Sequence, residues 1–304
     1  MFRPDFKLAL LHLRFWPTWL GLGVARALCL LPIDWQLGLG SFIGRSLGRV
    51  MKSRRHIVRT NLHLCFPTRS AEEIEQLCDE HFAAIGAGGF EACMAWWVSD
   101  RRLAPRGEVR GIEHLRAAQA RGQGALLLTG HFTTLEIAAR YLCIAGVPFH
   151  AMYRPYNNAV LDFYMHRWRE QRSGLPALPR DELRTLVKAL RRGQSIWYAP
   201  DQTLDRRISV FAPFFGIPAS TITATARLAQ MGRAAVVPFF CARENGRYIV
   251  TIRPALENFP SDDELADATT INRVIEDGIR DALPQYFWIH RRFKHRPDGE
   301  ASLY

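Results

Sequence analysis

A single stretch decides most of what this chain can fold into. Residues 125–140 read ALLLTGHFTTLEIAAR. The apolar run 125–129 is long enough for one buried strand. Gly130 breaks it, and Leu135, Ile137 and Ala138 then begin a helical pattern. His131 is therefore expected in a turn at the C-terminal end of a strand, just ahead of a helix. Ligands bind at that edge in open α/β sheets.

Glu136 lies five positions beyond His131. On one continuous helix five residues turn about 500°, which leaves two side chains roughly 140° apart. The pair can cooperate only if a turn separates them, with Glu136 in the first helical turn reaching back to the imidazole. Gly130 supplies a turn. A histidine oriented by a carboxylate is a general base: one ring nitrogen takes a hydroxyl proton while the other donates to the carboxylate. The same residues admit a plainer reading. Thr133 and Glu136 form T-x-x-E, a capping box that needs no catalysis, and His131 can be a turn histidine bonded to a carbonyl.

Charge narrows the partners. The 304 residues carry 40 Lys+Arg against 29 Asp+Glu, a net +11, with 48% hydrophobic content, enough for a substantial core. Such an excess favours an anionic partner: a membrane surface, a phosphorylated lipid, an acidic protein or nucleic acid. No recognised nucleic-acid motif accompanies it. The six cysteines are scattered, without C-x-x-C or zinc spacing, and are expected as buried free thiols on the cytoplasmic side. Neither G-x-G-x-x-G nor a Walker loop is present, and no cofactor or metal is expected.

Residues 8–31 are strongly apolar, yet His12, Arg14, Pro17 and Arg26 interrupt them. The uncharged core is shorter than the 18 or so residues of a spanning helix. It is read as a membrane anchor, a marginal span or an interfacial helix with Trp16 and Trp19 at headgroup level; the competing reading is a core helix. Residues 44–61 follow with six Lys/Arg and no acid, suited to anionic lipid headgroups. Ser70 and Glu73 open a helix expected to run to about residue 98, with a break at 86–89. The polar stretch around Pro105 marks a boundary. An N-terminal helical region, 1–104, precedes an α/β core, 105–304.

Within the core, strands are expected at 125–129, 147–153, 195–199, 234–242 and 247–253. Helices are expected at 157–172 with Asn157 as N-cap, 181–192, 220–231 and 270–282. Asn245-Gly246 signals a hairpin between the last two strands. The alternation predicts an α/β fold: a mostly parallel central sheet with helices on both faces. Arg154 precedes Pro155 at one strand end, and Asp201 and Gln202 follow another. In a parallel sheet they converge with His131 on one edge. Arg167 and Arg169 lie on the next helix. Taken singly, each arginine reads equally as a surface charge and Asp201 as a turn residue.

GHFTTLE resembles the H-x4-[DE] motif of membrane acyltransferases. With MYRP at 152–155, WYAPDQ at 197–202, VFAPFFG at 210–216 and WIHRRFKHRP at 288–297, the chain resembles the late acyltransferases of lipid A biosynthesis, the lauroyl type above all. The resemblance implies catalytic roles for His131 and Glu136, and functional roles for Arg167 (with Arg169 as the alternative register) and Asp201. It implies transfer of a fatty acyl group, lauroyl or similar, from acyl carrier protein to a hydroxyl of a Kdo-bearing lipid A precursor. The setting it implies is the cytoplasmic face of the inner membrane of a Gram-negative bacterium. Many relatives carry G-N-W where this chain has Thr133, Thr134 and Leu135, so acceptor-side contacts differ. The alternatives are a lysophospholipid or glycerolipid acyltransferase, or a basic non-enzymatic module binding membrane or nucleic acid.

Overall fold

The computed structural model describes residues 7–153, 155–203 and 206–304. Two short 3-10 turns lead into α1 (Trp16–Leu28), α2 (Ile33–Val50), α3 (Lys52–Cys65), α4 (Ala71–Trp97) and the one-turn α5 (Asp100–Leu103). The chain then alternates: β1 (Gly107–Arg110), α6 (Ile112–Ala120), β2 (Ala125–Leu128), α7 (Leu135–Ile144), β3 (His150–Tyr153), α8 (Ala159–Ser173), β4 (Leu178–Pro179), α9 (Leu183–Arg191) and β5 (Ser195–Tyr198). It closes with β6 (Ser209–Phe214), β7 (Ile217–Ile222), α10 (Ala224–Gly232), β8 (Ala235–Glu244), β9 (Arg247–Ile252) and α11 (Glu264–Asp281).

The main sheet has the order β1-β9-β8-β2-β5-β3-β4. Every neighbouring pair is parallel except β8–β9. Strand β2 is central and wholly buried, which is why it reads as an unbroken apolar run. Its side chains alternate between two cores. Leu126 and Leu128 join Ile196, Leu186, Leu228 and Ile275 on one face. Ala125 and Leu127 join Ile137, Trp197 and Leu142 on the other. Helices cover both faces, as the alternation predicts.

Four of the expected elements are corrected. Helix α4 runs unbroken through 86–89. Its glycines are a packing seam: a Cβ on Gly86 would lie 2.0 Å from the Gly40 carbonyl oxygen, and one on Gly44 2.0 Å from that of Phe82. The absence of side chains lets α2 and α4 touch backbone to backbone. Residues 220–222 are strand β7, paired antiparallel with β6, so only the second part of the expected 220–231 helix forms. Phe215 and Gly216 both take positive φ, 49° and 79°, as a two-residue type I′ turn demands. Asn158, not Asn157, caps α8, its side chain accepting from Val160 N and Leu161 N. The Asn245-Gly246 hairpin forms as expected, and α11 begins earlier than the periodicity indicates, capped by Asp263.

At the N-terminus, α1 has no fully buried residue. It leans on α8, where Trp19 and Leu22 pack against Val160 and Phe163. Trp16, Leu20 and Val24 of α1 are exposed, as are Trp35, Leu39, Phe42, Ile43, Leu47 and Val50 of α2. The α2 residues recur at helical spacing and form one stripe opposite the glycine seam. Among the described residues no helix is long and apolar enough to cross a membrane.

Candidate active site

Strand β2 ends at Leu128, and Thr129, Gly130 and His131 carry the chain over the C-terminal edge of the sheet. Strand β5, paired beside it, delivers Pro200, Asp201 and Gln202 to the same edge. The Asp201 carboxylate accepts from the His131 backbone N–H at 2.8 Å through Oδ2. Its Oδ1 lies 2.5 Å from His131 Nδ1. Gly130 keeps this approach open, since a Cβ there would meet Asp201 Oδ2 at 3.3 Å.

Asp201 is 2% exposed, whereas the His131 side chain is 33% exposed. An ionised carboxylate can only accept, so Nδ1 carries the proton and Nε2 keeps its lone pair. No described residue bonds Nε2. Burial disfavours the imidazolium, yet the Asp201 charge outweighs it and sets the His131 pKa above the ordinary value. Burial likewise opposes the Asp201 carboxylate, and His131 overcomes it, holding that pKa low.

The C-terminal segment fixes both loops. Phe287 N donates to the His131 carbonyl at 2.9 Å, and Thr133 N donates to Gln285 O at 2.7 Å. Thr203 N donates to His290 Nε2 at 3.1 Å, and Thr203 Oγ1 to Arg292 O at 2.9 Å. Arg292 itself is buried and bonds Ser220 O, Thr221 Oγ1 and Asn272 Oδ1. Burial holds the His290 pKa down to about 4, so it stays neutral and accepts. Residues 285–292 thus clamp the His131 and Asp201 loops, and of the RRFKHR stretch at 291–296 Arg292 takes part.

Glu136 has a different partner from the one its spacing suggests. Arg169 of α8 makes an ion pair with its Oε1. Trp96 Nε1, from the end of α4, reaches Oε2 at 3.4 Å. Asp201, not Glu136, orients the imidazole. The capping-box reading fails too. Thr134 takes the N-cap position of α7 without a side-chain cap bond, and Thr133 Oγ1 has no hydrogen-bond partner among the described residues. Thr134 Oγ1 donates instead to Cys241 O.

His131, Glu136, Arg169 and Gln202 line one cavity of about 1180 Å³, above the usual range for a small-molecule site. Its walls are mostly apolar, with Trp96, Trp168, Phe149, Leu186, Leu228 and Met231 among them. Trp96 and Trp168 stack with ring centroids 4.6 Å apart. Of the two α8 arginines, Arg169 enters the cavity wall, whereas Arg167 is exposed and stands outside it. Asp201 lies buried behind His131 and does not line the cavity. Arg154 lies outside the described residues. Trp96, Trp168 and Phe287 were not legible as site residues; the Trp96-Trp97 pair closing a long helix is the one signal the sequence offers.

A histidine held by a buried carboxylate, on the strand-end edge of an α/β sheet and opening into a large, mostly apolar cavity, defines a class: an enzyme equipped to activate a hydroxyl beside a hydrocarbon chain. Residues 3–295 match the family described as bacterial lipid A biosynthesis acyltransferase. The chain is 41% identical to the lipid A biosynthesis lauroyltransferase of Escherichia coli (strain K12), over 99% of both chains. It is 39% identical to the palmitoleoyltransferase of the same organism over 98% of both. To a lipid A biosynthesis acyltransferase of Haemophilus influenzae it is 35% identical, over 99% of this chain and 98% of that one. The chain belongs to the bacterial lipid A biosynthesis acyltransferase family, and its activity is acyl transfer in lipid A biosynthesis.

Proposed function

We propose that the chain transfers a fatty acyl group, lauroyl or of similar length, from acyl carrier protein to a hydroxyl of a Kdo-bearing lipid A precursor. The observation that carries this reading is the His131–Asp201 pair at the wall of the apolar cavity. His131 Nε2 takes the proton of the acceptor hydroxyl, and Asp201 holds the tautomer and stabilises the imidazolium. The alkoxide attacks the thioester carbonyl; the carrier thiolate leaves and takes up the proton from His131. Glu136, fixed by Arg169 and Trp96, holds the Arg169 guanidinium in place in the cavity wall. Gln202 and Arg169 contribute polar contacts to the substrates. Backbone N–H groups in the first turn of α7 face developing negative charge favourably.

The apolar stripe of α2 and the exposed face of α1 lie on the anionic cytoplasmic leaflet of the inner membrane, with Trp16 and Trp35 at headgroup depth. Arg45, Arg49 and Arg54 accompany them. Because α1 packs on α8, the lipid surface adjoins a wall of the cavity. Purified protein in mixed micelles, supplied with lauroyl carrier protein and a Kdo-bearing acceptor, is expected to yield an acceptor heavier by one acyl group in mass spectra. Acylation of a lysophospholipid in preference would replace this acceptor assignment.

A further inference from the structure

The cavity wall turns basic one helical turn beyond Glu136. Helix α7 presents Glu136, Ala139, Arg140 and Cys143 to the cavity, so Arg140 stands over the turn that Glu136 begins. Glu136 is already neutralised by Arg169. Arg140 is 4% exposed, and its Nε has no hydrogen-bond partner among the described residues. Among the described residues its carboxylate partner is Asp100 of α5, whose side chain is 59% exposed. Facing it from the last turn of α8, Arg172 lines the same cavity and donates to the Trp96 carbonyl at 3.0 Å. Burial first, and the Arg172 charge second, hold the Arg140 pKa down to about 10.

A buried guanidinium N–H without an acceptor is costly. A pair of guanidiniums on one wall of an apolar cavity repels itself. Both features are relieved by one anion, and the planar fork of arginine matches phosphate oxygens two at a time. We propose that Arg140 and Arg172 form an anion subsite within the substrate cavity, built for a phosphate group carried by one of the two substrates. This rests on the proposed reaction, in which both substrates are phosphorylated: the acceptor on its sugars, the donor on its pantetheine arm. A mere tie between α7 and α5 would use Arg140 and Asp100 alone and would be indifferent to phosphate.

The test is steady-state kinetics on wild type, Arg172→Gln and Arg140→Lys. Acceptors with and without phosphate are compared, then donor thioesters of phosphopantetheine and pantetheine. Arg172 is only partly buried, so that variant keeps its fold if Arg140→Lys does not. Removing the relevant phosphate from the substrate is expected to raise the wild-type KM about ten- to a hundredfold, the size of a charge-assisted contact. Arg172→Gln raises it equally for the phosphorylated substrate and leaves the dephosphorylated one unchanged. Coupling to the acceptor or to the donor identifies the source of the phosphate. Independent, multiplying losses for both substrates overturn the subsite. A rise in Tm with inorganic phosphate, present in wild type and absent in Arg172→Gln, needs no turnover and supports the subsite even if the proposed reaction fails. Absence of that rise in wild type, together with multiplying losses, removes it.

Discussion

His131 and Asp201 are 70 positions apart, and only the parallel pairing of β2 with β5 brings them together. The sequence shows both as strand-end residues, but local spacing offers Glu136 as the nearer carboxylate. Topology decides otherwise, because Glu136 in the first turn of α7 faces Arg169. The same geometry separates the two α8 arginines. Arg169→Met leaves Glu136 without its cation in a partly buried site, and kcat/KM is expected to fall roughly ten- to a thousandfold, the cost of stranding one member of a charged pair. Arg167→Met changes an exposed side chain and is expected to leave both kinetic constants within about twofold, since such changes fall within ±0.5 kcal/mol. Equal losses in the two variants, measured with each substrate varied in turn, would reverse this assignment of register.

Elements with a local cause were legible, and those with a tertiary cause were not. Ser70 and Glu73 cap α4 reciprocally, as their spacing predicts. Asn245-Gly246 makes its hairpin turn. Strand β7 was hidden because its partner, β6, and the buried Arg292 that bonds Ser220 O are what hold residues 220–222 extended. The glycines of α4 look like breakers in one dimension and are contact points in three. Gly86→Ala is expected to cost about 1–3 kcal/mol, because its methyl group meets the Gly40 backbone, which has no rotamer to change. Gly89→Ala, three residues on, is exposed with nothing within 4 Å of its Cβ. There the helix gains about 0.8–1 kcal/mol from the better helix former. Thermal or denaturant melts of the two variants should move in opposite directions; a shift of the same sign in both would discount the seam.

At the scale of the molecule, one surface is apolar, one edge is chemical and the interior is sensitive to acid. Phe42→Asp and Leu47→Asp on the α2 stripe should each weaken binding to vesicles of anionic phospholipid. The expected loss is about ten- to a hundredfold, from the roughly 1.5–3 kcal/mol gained by burying such a side chain. Unchanged vesicle flotation would place the membrane contact elsewhere. His81 is buried with Nδ1 against Pro284 O, and burial outweighs that bond to bring its pKa down to about 4. The unfolded chain, with an ordinary histidine pKa near 6.5, takes up the proton first. Stability from this group is therefore complete above pH 6.5 and declines as pH falls towards 4, by about 3 kcal/mol in all. Denaturant melts at several pH values should show the slope, and His81→Gln should flatten it.

The central claim is that His131 is a general base oriented by Asp201. The pH dependence of kcat/KM tests it most directly, because it reports the ionisation of the base in the free enzyme. Activity in wild type should rise with pH through an acid limb above 6.5, where the Asp201 charge places the His131 pKa. Asp201→Asn should move that limb to lower pH and lower the plateau kcat about 10²–10⁴-fold. An Asp201→Asn enzyme with an unmoved acid limb and near-normal turnover, or a shift of the limb produced by Glu136→Gln instead, would contradict it.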